Sequence, residues 1–200
     1  MKLQELIMKN KLLFTDVETT GKDGEIHGIH QISGIIDIEG EEVDRFNFNV
    51  RPFETDLIDT EALKASGVTY DQIMSYEDPL IVHEQLNTLL GKHVNKFNRN
   101  DKFHFLAYNS NFDNDHWRGF YKKCEDKYFG SFFFAPDICV MRLAAFYLHK
   151  ERYKMINFKL KTVAEYLKII EEDDETIKWH DSMVDIDITR QIYYKVLNGE

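Results

Sequence analysis

The stretch from Lys11 to Val50 constrains the fold more than any other part of the chain. Lys11 to Val17 is a compact apolar run that closes on two carboxylates, Asp16 and Glu18. Ile29 to Ile38, IHQISGIIDI, is rich in β-branched residues, and Glu39-Gly40 follows it as a turn signal. From Glu42 to Val50 apolar and polar residues alternate, the apolar ones being Val43, Phe46, Phe48 and Val50. Alternation with a period of two marks a half-buried strand. The three runs predict an antiparallel three-strand meander, ended by Arg51-Pro52.

Downstream the pattern changes to helices interleaved with short strands. Short helices are expected over Asp59 to Ala65 and Tyr70 to Ser75, around Gly67-Val68-Thr69, and a longer one over Pro79 to Val94. A strand over Lys102 to Tyr108 leads to a helix over Asn111 to Lys123. Phe132 to Ala135 reads as a short strand before a helix from Asp137 to about His149. Two last helices are expected over Leu160 to Leu167 and Met183 to Leu197. A meander followed by alternating strands and helices predicts an α/β fold, with a mixed sheet flanked by helices. The chain has 200 residues, three prolines and no Gly/Ser-rich linker, so one domain over residues 1–200 is expected.

Charge and cysteine content narrow the function. The formal net charge of −10 argues against coating nucleic acid by bulk electrostatics. It leaves open an enzyme that meets phosphates through metal ions. Cys124 and Cys139 cannot build a disulfide framework or a CxxC zinc site, which points to a reducing, cytoplasmic setting. No apolar run approaches the roughly 20 residues that span a bilayer, so no membrane partner is expected.

Three segments carry candidate chemistry. In Phe14-Thr15-Asp16-Val17-Glu18-Thr19-Thr20-Gly21, residues two apart share a strand face, so Asp16 and Glu18 project together. Paired carboxylates leaving a buried strand repel each other, and a hard divalent cation would relieve that. In Ala107-Tyr108-Asn109-Ser110-Asn111-Phe112-Asp113, a strand meets a helix, and Asp113 shares a face with Trp117, Phe120 and Tyr121. Ser110 and Asp113 also match a capping box, which would spend the carboxylate on the helix N-terminus. In His180-Asp181-Ser182-Met183-Val184-Asp185, Asp185 lies on the apolar face of Ile188, Ile192 and Val196, with His180 in the loop before the helix. The run Glu171 to Glu175 reads as a solvated loop.

Taken in order, the three segments resemble the motifs of the DEDDh 3′–5′ exonucleases, a family that includes the proofreading subunit of bacterial DNA polymerase III. The resemblance runs from about Lys11 to Leu197, with Gln31 standing where the family often has glutamate. It implies a ribonuclease H-like mixed five-stranded sheet, an antiparallel meander plus parallel strands. It further implies that Asp16, Glu18, Asp113 and Asp185 hold two Mg²⁺ or Mn²⁺ ions and that His180 is the base that takes a proton from the attacking water. An imidazole pKa near 6.5 suits that task. Val17, Thr19, Thr20, Asn109 and Phe112 would contact the terminal nucleotide. The implied substrate is the 3′ end of single-stranded or frayed DNA, released as nucleoside 5′-monophosphates, with RNA as the rival substrate. A DNA polymerase is a further implied partner. A non-catalytic nucleic-acid-binding module is the alternative from another class.

Overall fold

The structure is a computed structural model that describes residues 10–172, 174, 176–179 and 181–199. The meander forms as the alternation dictates: β1 is Lys11–Thr19, β2 is Ile29–Ile38 and β3 is Glu41–Asn49. Both residues of the β2–β3 turn have positive φ, 58° at Glu39 and 87° at Gly40. That two-residue conformation matches the right-handed twist of the strands, and Gly40 adopts it at little steric cost.

Two more strands join the opposite edge, β4 (His104–Ala107) and β5 (Ile138–Cys139). The sheet order is β3-β2-β1-β4-β5. β1 runs antiparallel to β2 and parallel to β4, and β4 runs parallel to β5. The five strands and their flanking helices form an RNase H-like α/β fold. The expected strand at Phe132 to Ala135 is replaced by an isolated bridge between Phe103 and Phe133. Pro136 has no N–H to give a ladder, so continuous pairing resumes only at Ile138.

Seven helices cover the sheet among the described residues. They are α1 (Thr60–Ser66), α2 (Tyr70–Met74), α3 (Pro79–His93), α4 (Ser110–Lys123), α5 (Val140–Tyr147), α6 (Leu160–Tyr166) and α7 (Ser182–Asn198). Local chemistry fixes several ends. Asp59, Thr69 and Asp78 accept N–H bonds at the starts of α1, α2 and α3, and Pro79 occupies the first turn of α3. The helix expected to reach His149 ends at Tyr147 and tightens into a 3₁₀ turn over His149–Lys154.

The period of two divides β1 between two cores. Leu13 and Val17 face α3 and α4 through Val82, Leu86, Leu90, Trp117 and Phe120. Leu12 and Phe14 face α5, α6 and α7 through Val140, Val163, Ile188 and Ile192. Asp16 and Glu18 continue the second series, so they emerge on the side of α7. Two contacts hold α7 against β2. At its start, the Ser182 and Ser33 hydroxyls lie 2.6 Å apart. Further along, the fully buried Asp37 accepts from Arg190 at 2.9 Å and from Tyr194 at 2.7 Å.

The loop between β1 and β2 is seated on α4 at close range. A methyl group at Gly119 would lie 2.0 Å from the Gly24 carbonyl oxygen. Lys123 also donates to the His27 carbonyl at 2.6 Å. Gly119→Ala is therefore expected to lower stability by about 1–3 kcal/mol, the usual range for overpacking. Urea unfolding followed by circular dichroism checks this; an unchanged midpoint would show that the loop is not held against the helix.

Candidate active site

β1 outlasts β4, so its last residues stand beyond the parallel part of the sheet. There a register shift interrupts its pairing with β2 between Glu18 and Thr19. Such a bulge re-aims side chains locally. Val17 sits where β4 has already ended, and its N–H is taken by Asp113 of α4 at 3.2 Å. That bond ties the first acidic segment to the second across 96 residues of sequence.

This geometry replaces the capping box expected at Ser110. The N-cap residue of α4 is Asn109, without a side-chain cap bond, and Asp113 turns toward β1. β1 has an N–H to satisfy where its neighbour stops, and that demand outweighs the helix end. Ser110 itself is fully buried.

The four acids are electrostatic neighbours. Burial and the negative charges of Asp113, Glu18 and Asp185 hold the Asp16 carboxyl well above the usual carboxylate range. Asp113 is likewise raised, chiefly by burial, with Glu18 and Asp137 adding to the effect. Glu18 accepts from the Ser66 hydroxyl at 2.6 Å. Asp185 lies in the first turn of α7, where the helix dipole favours negative charge. Among the described residues, no three His, Cys, Asp or Glu side chains already stand in ion-holding geometry. The site is thus a concentration of carboxylate charge with open ligand geometry. Its oxygen-only donor set and mutual repulsion fit a hard divalent cation.

The expected substrate residues lie at the end of β1, just after it and at the head of α4. The Thr19 hydroxyl donates to the Gly21 carbonyl at 2.7 Å, and the Thr20 hydroxyl to the Leu57 carbonyl at 2.6 Å. Both threonines are buried and shape the loop after β1. Val17 is buried in the first core. Asn109 is exposed at the head of α4, and Phe112 is half-buried against His116, ring centroids 4.4 Å apart. His180 lies outside the described residues, as do Asp173 and Glu175 of the acidic run.

Two residues join the site without a sequence signal, and a third braces the loop that follows β1. Ser66 reaches Glu18 from α1, 48 positions away. Asp137 adds charge beside Asp113 from the start of β5. His116, also buried, sets its ring nitrogens 2.9 Å from the Phe112 carbonyl and 3.2 Å from that of Gly21, bridging α4 to the β1–β2 loop. Only the helical phase of His116, shared with Asp113 and Phe120, hinted that it faces inward.

A central strand that delivers paired acids to its open end, met by one acid from each of two helices, defines a nuclease-type RNase H-like domain. The family model described as exonuclease matches residues 13–193, and the chain belongs to this family of DEDD-type 3′–5′ exonucleases. A search of curated proteins gives no match. Solved structures of exonuclease I share the fold. The zinc-bound Escherichia coli exonuclease I complex with single-stranded DNA superposes with a TM-score of 0.73 at 19% identity, covering 96% of this chain and 41% of that one. The E. coli enzyme with a dT13 oligonucleotide gives 0.69 at 18% identity, covering 94% and 40%. The chain therefore spans about two-fifths of the length of these structures. Among the described residues no helix is long and apolar enough to cross a membrane.

Clustered acids with raised pKa values give a stability signature. Each such acid binds its proton more tightly folded than unfolded, so metal-free stability is expected to fall as pH rises above the ordinary carboxylate range near 4. Asp16→Asn removes one charge of the cluster. It is expected to raise metal-free stability at pH 8 by about 1–2 kcal/mol, one pKa unit being worth ~1.4 kcal/mol. Thermal melts in EDTA from pH 5 to 8 measure both effects; a variant less stable than the parent at pH 8 would show that these acids do not repel.

Proposed function

We propose that the chain is one exonuclease domain that removes nucleoside 5′-monophosphates from the 3′ end of single-stranded or frayed DNA. The observation that carries this reading is the gathering of Asp16, Glu18, Asp113 and Asp185 at the end of β1, inside a chain of the exonuclease family. Asp16, Glu18, Asp113 and Asp185 would hold two Mg²⁺ or Mn²⁺ ions. Such ions lower the pKa of water, neutralise the phosphoryl oxygens and steady the leaving oxygen.

The protein groups have separate tasks. His180 takes the proton of the attacking water, a role suited to an imidazole titrating near neutrality. Asp113 fixes β1 through the Val17 N–H and so sets the direction of Asp16 and Glu18. Ser66 orients Glu18. In this reading Asn109 and Phe112, at the head of α4, contact the terminal nucleotide. Thr19 and Thr20 act through the loop they shape. Stacking of bases on aromatic rings carries no sequence code, so base preference is weak.

DNA is favoured over RNA because the exonuclease I structures that share the fold include complexes with single-stranded DNA. A place in repair or proofreading, a polymerase partner and a cytoplasmic location accompany this reading.

The test compares 3′-labelled with 5′-labelled 20-nucleotide DNA and RNA in Mn²⁺. The parent protein is expected to release label from the 3′ end first, faster on DNA. Asp16→Ala should lose at least 10³-fold of the rate with the fold intact, and His180→Ala about 10²–10⁴-fold, the usual range for general base catalysis. Undiminished digestion by Asp16→Ala, or release from the 5′ end, contradicts the assignment.

A further inference from the structure

The connection from α5 to α6 differs in character from the rest of the molecule. Between Phe146 and Lys159 the basic residues Lys150, Arg152, Lys154 and Lys159 stand against one acid, Glu151, in a chain whose net charge is −10. Three large apolar side chains of the same stretch face solvent: Phe146 is 79% exposed, Tyr153 81% and Ile156 91%. Exposed aromatic rings interleaved with cations are the composition of a single-strand nucleic-acid surface.

The stretch is anchored to the end of β4 that leads into α4. Met155 is buried in the core that α5, α6 and α7 share with β1. The Tyr108 hydroxyl donates to the Phe158 carbonyl at 2.8 Å. Tyr108 directly precedes Asn109 and the α4 turn that carries Asp113. The Arg152 guanidinium lies over the Phe158 ring, 5.5 Å from its centroid, and donates to the Met155 carbonyl. Arg152 therefore braces the connection. Lys150, Tyr153, Phe146 and Ile156 remain exposed on its outer side, and the exposed Lys154 pairs locally with Glu151.

We infer that this connection binds the single strand that leads into the site, through its phosphates and bases on the 5′ side of the nucleotide being removed. The inference rests on the exonuclease reading above and adds to it a second, non-catalytic contact. Lys150 and Lys154 meet phosphates, and Phe146 and Tyr153 offer stacking faces. Together they give a negatively charged protein a local hold on a polyanion, and they make affinity grow with strand length.

The test uses a triple variant, Lys150→Glu, Tyr153→Ala and Lys154→Gln, all at exposed positions, the last giving up only the local pair with Glu151. Binding of 5′-fluorescein-labelled dT20 is followed by anisotropy in EDTA, so that it does not depend on catalysis. The variant is expected to bind at least tenfold more weakly. Its log–log salt dependence should be shallower by about 1.4, near 0.7 for each lost single-strand phosphate contact. In Mn²⁺, KM for the 20-mer should rise about tenfold, while turnover of p-nitrophenyl thymidine 5′-monophosphate stays within twofold. Equal dT20 binding by parent and variant overturns the inference, as does parallel loss of the small ester, which would place these residues in the catalytic machinery or the fold. A defect confined to vesicles containing phosphatidylserine, with dT20 binding intact, also overturns it and marks a membrane surface. A parent that binds dT20 through these residues yet cleaves neither substrate would support the surface and refute the exonuclease reading.

Discussion

Everything at the site depends on the repulsion among carboxylates that the fold forces together. Two like charges about 4 Å apart in a partly buried setting repel by roughly 4 kcal/mol. Asp16 stands at the centre of that field: burial raises its pKa most, and Asp113, Glu18 and Asp185 all raise it further. A fold that only needed to be stable would not hold four acids at one end of its central strand. The sheet, the bulge after Glu18 and the docked start of α7 maintain the arrangement against its own electrostatics.

The rest of the architecture supplies the means. Parallel pairing with β4 stops at Phe14, which leaves the acidic end of β1 free of a neighbour on that side. Asp113 fills the gap by accepting from Val17, so one hydrogen bond both satisfies the strand and places the third acid. The Ser33–Ser182 contact and the Asp37, Arg190 and Tyr194 cluster align α7 along β2, which delivers Asp185 to the same end. Arg45 adds an exposed tie from β3 to Asp187, two residues beyond Asp185.

Much of this was legible in the sequence because periodicity carries it. The β-branched run of β2, the Glu39-Gly40 turn and the apolar face of Ile188, Ile192 and Val196 each read correctly from local pattern, whereas Val43, counted in the alternation of β3, falls at a register shift and is exposed. The pairing of Asp16 with Glu18 followed from the two-residue strand period. What escaped depended on contacts between distant positions. The capping box at Ser110 was locally plausible, but a strand N–H from Val17 claimed Asp113. Ser66, His116 and Asp137 lie on elements whose approach to β1 no local pattern announces.

The central claim is that the four acids are a divalent-cation site assembled by the fold. Calorimetric titration of the metal-free protein with Mn²⁺ in the presence of thymidine 5′-monophosphate tests it most directly. The account predicts two ions bound per chain, with both lost or severely weakened in Asp113→Asn and Asp185→Asn. Absence of Mn²⁺ binding by the parent, or unchanged stoichiometry and affinity in those variants, would contradict it.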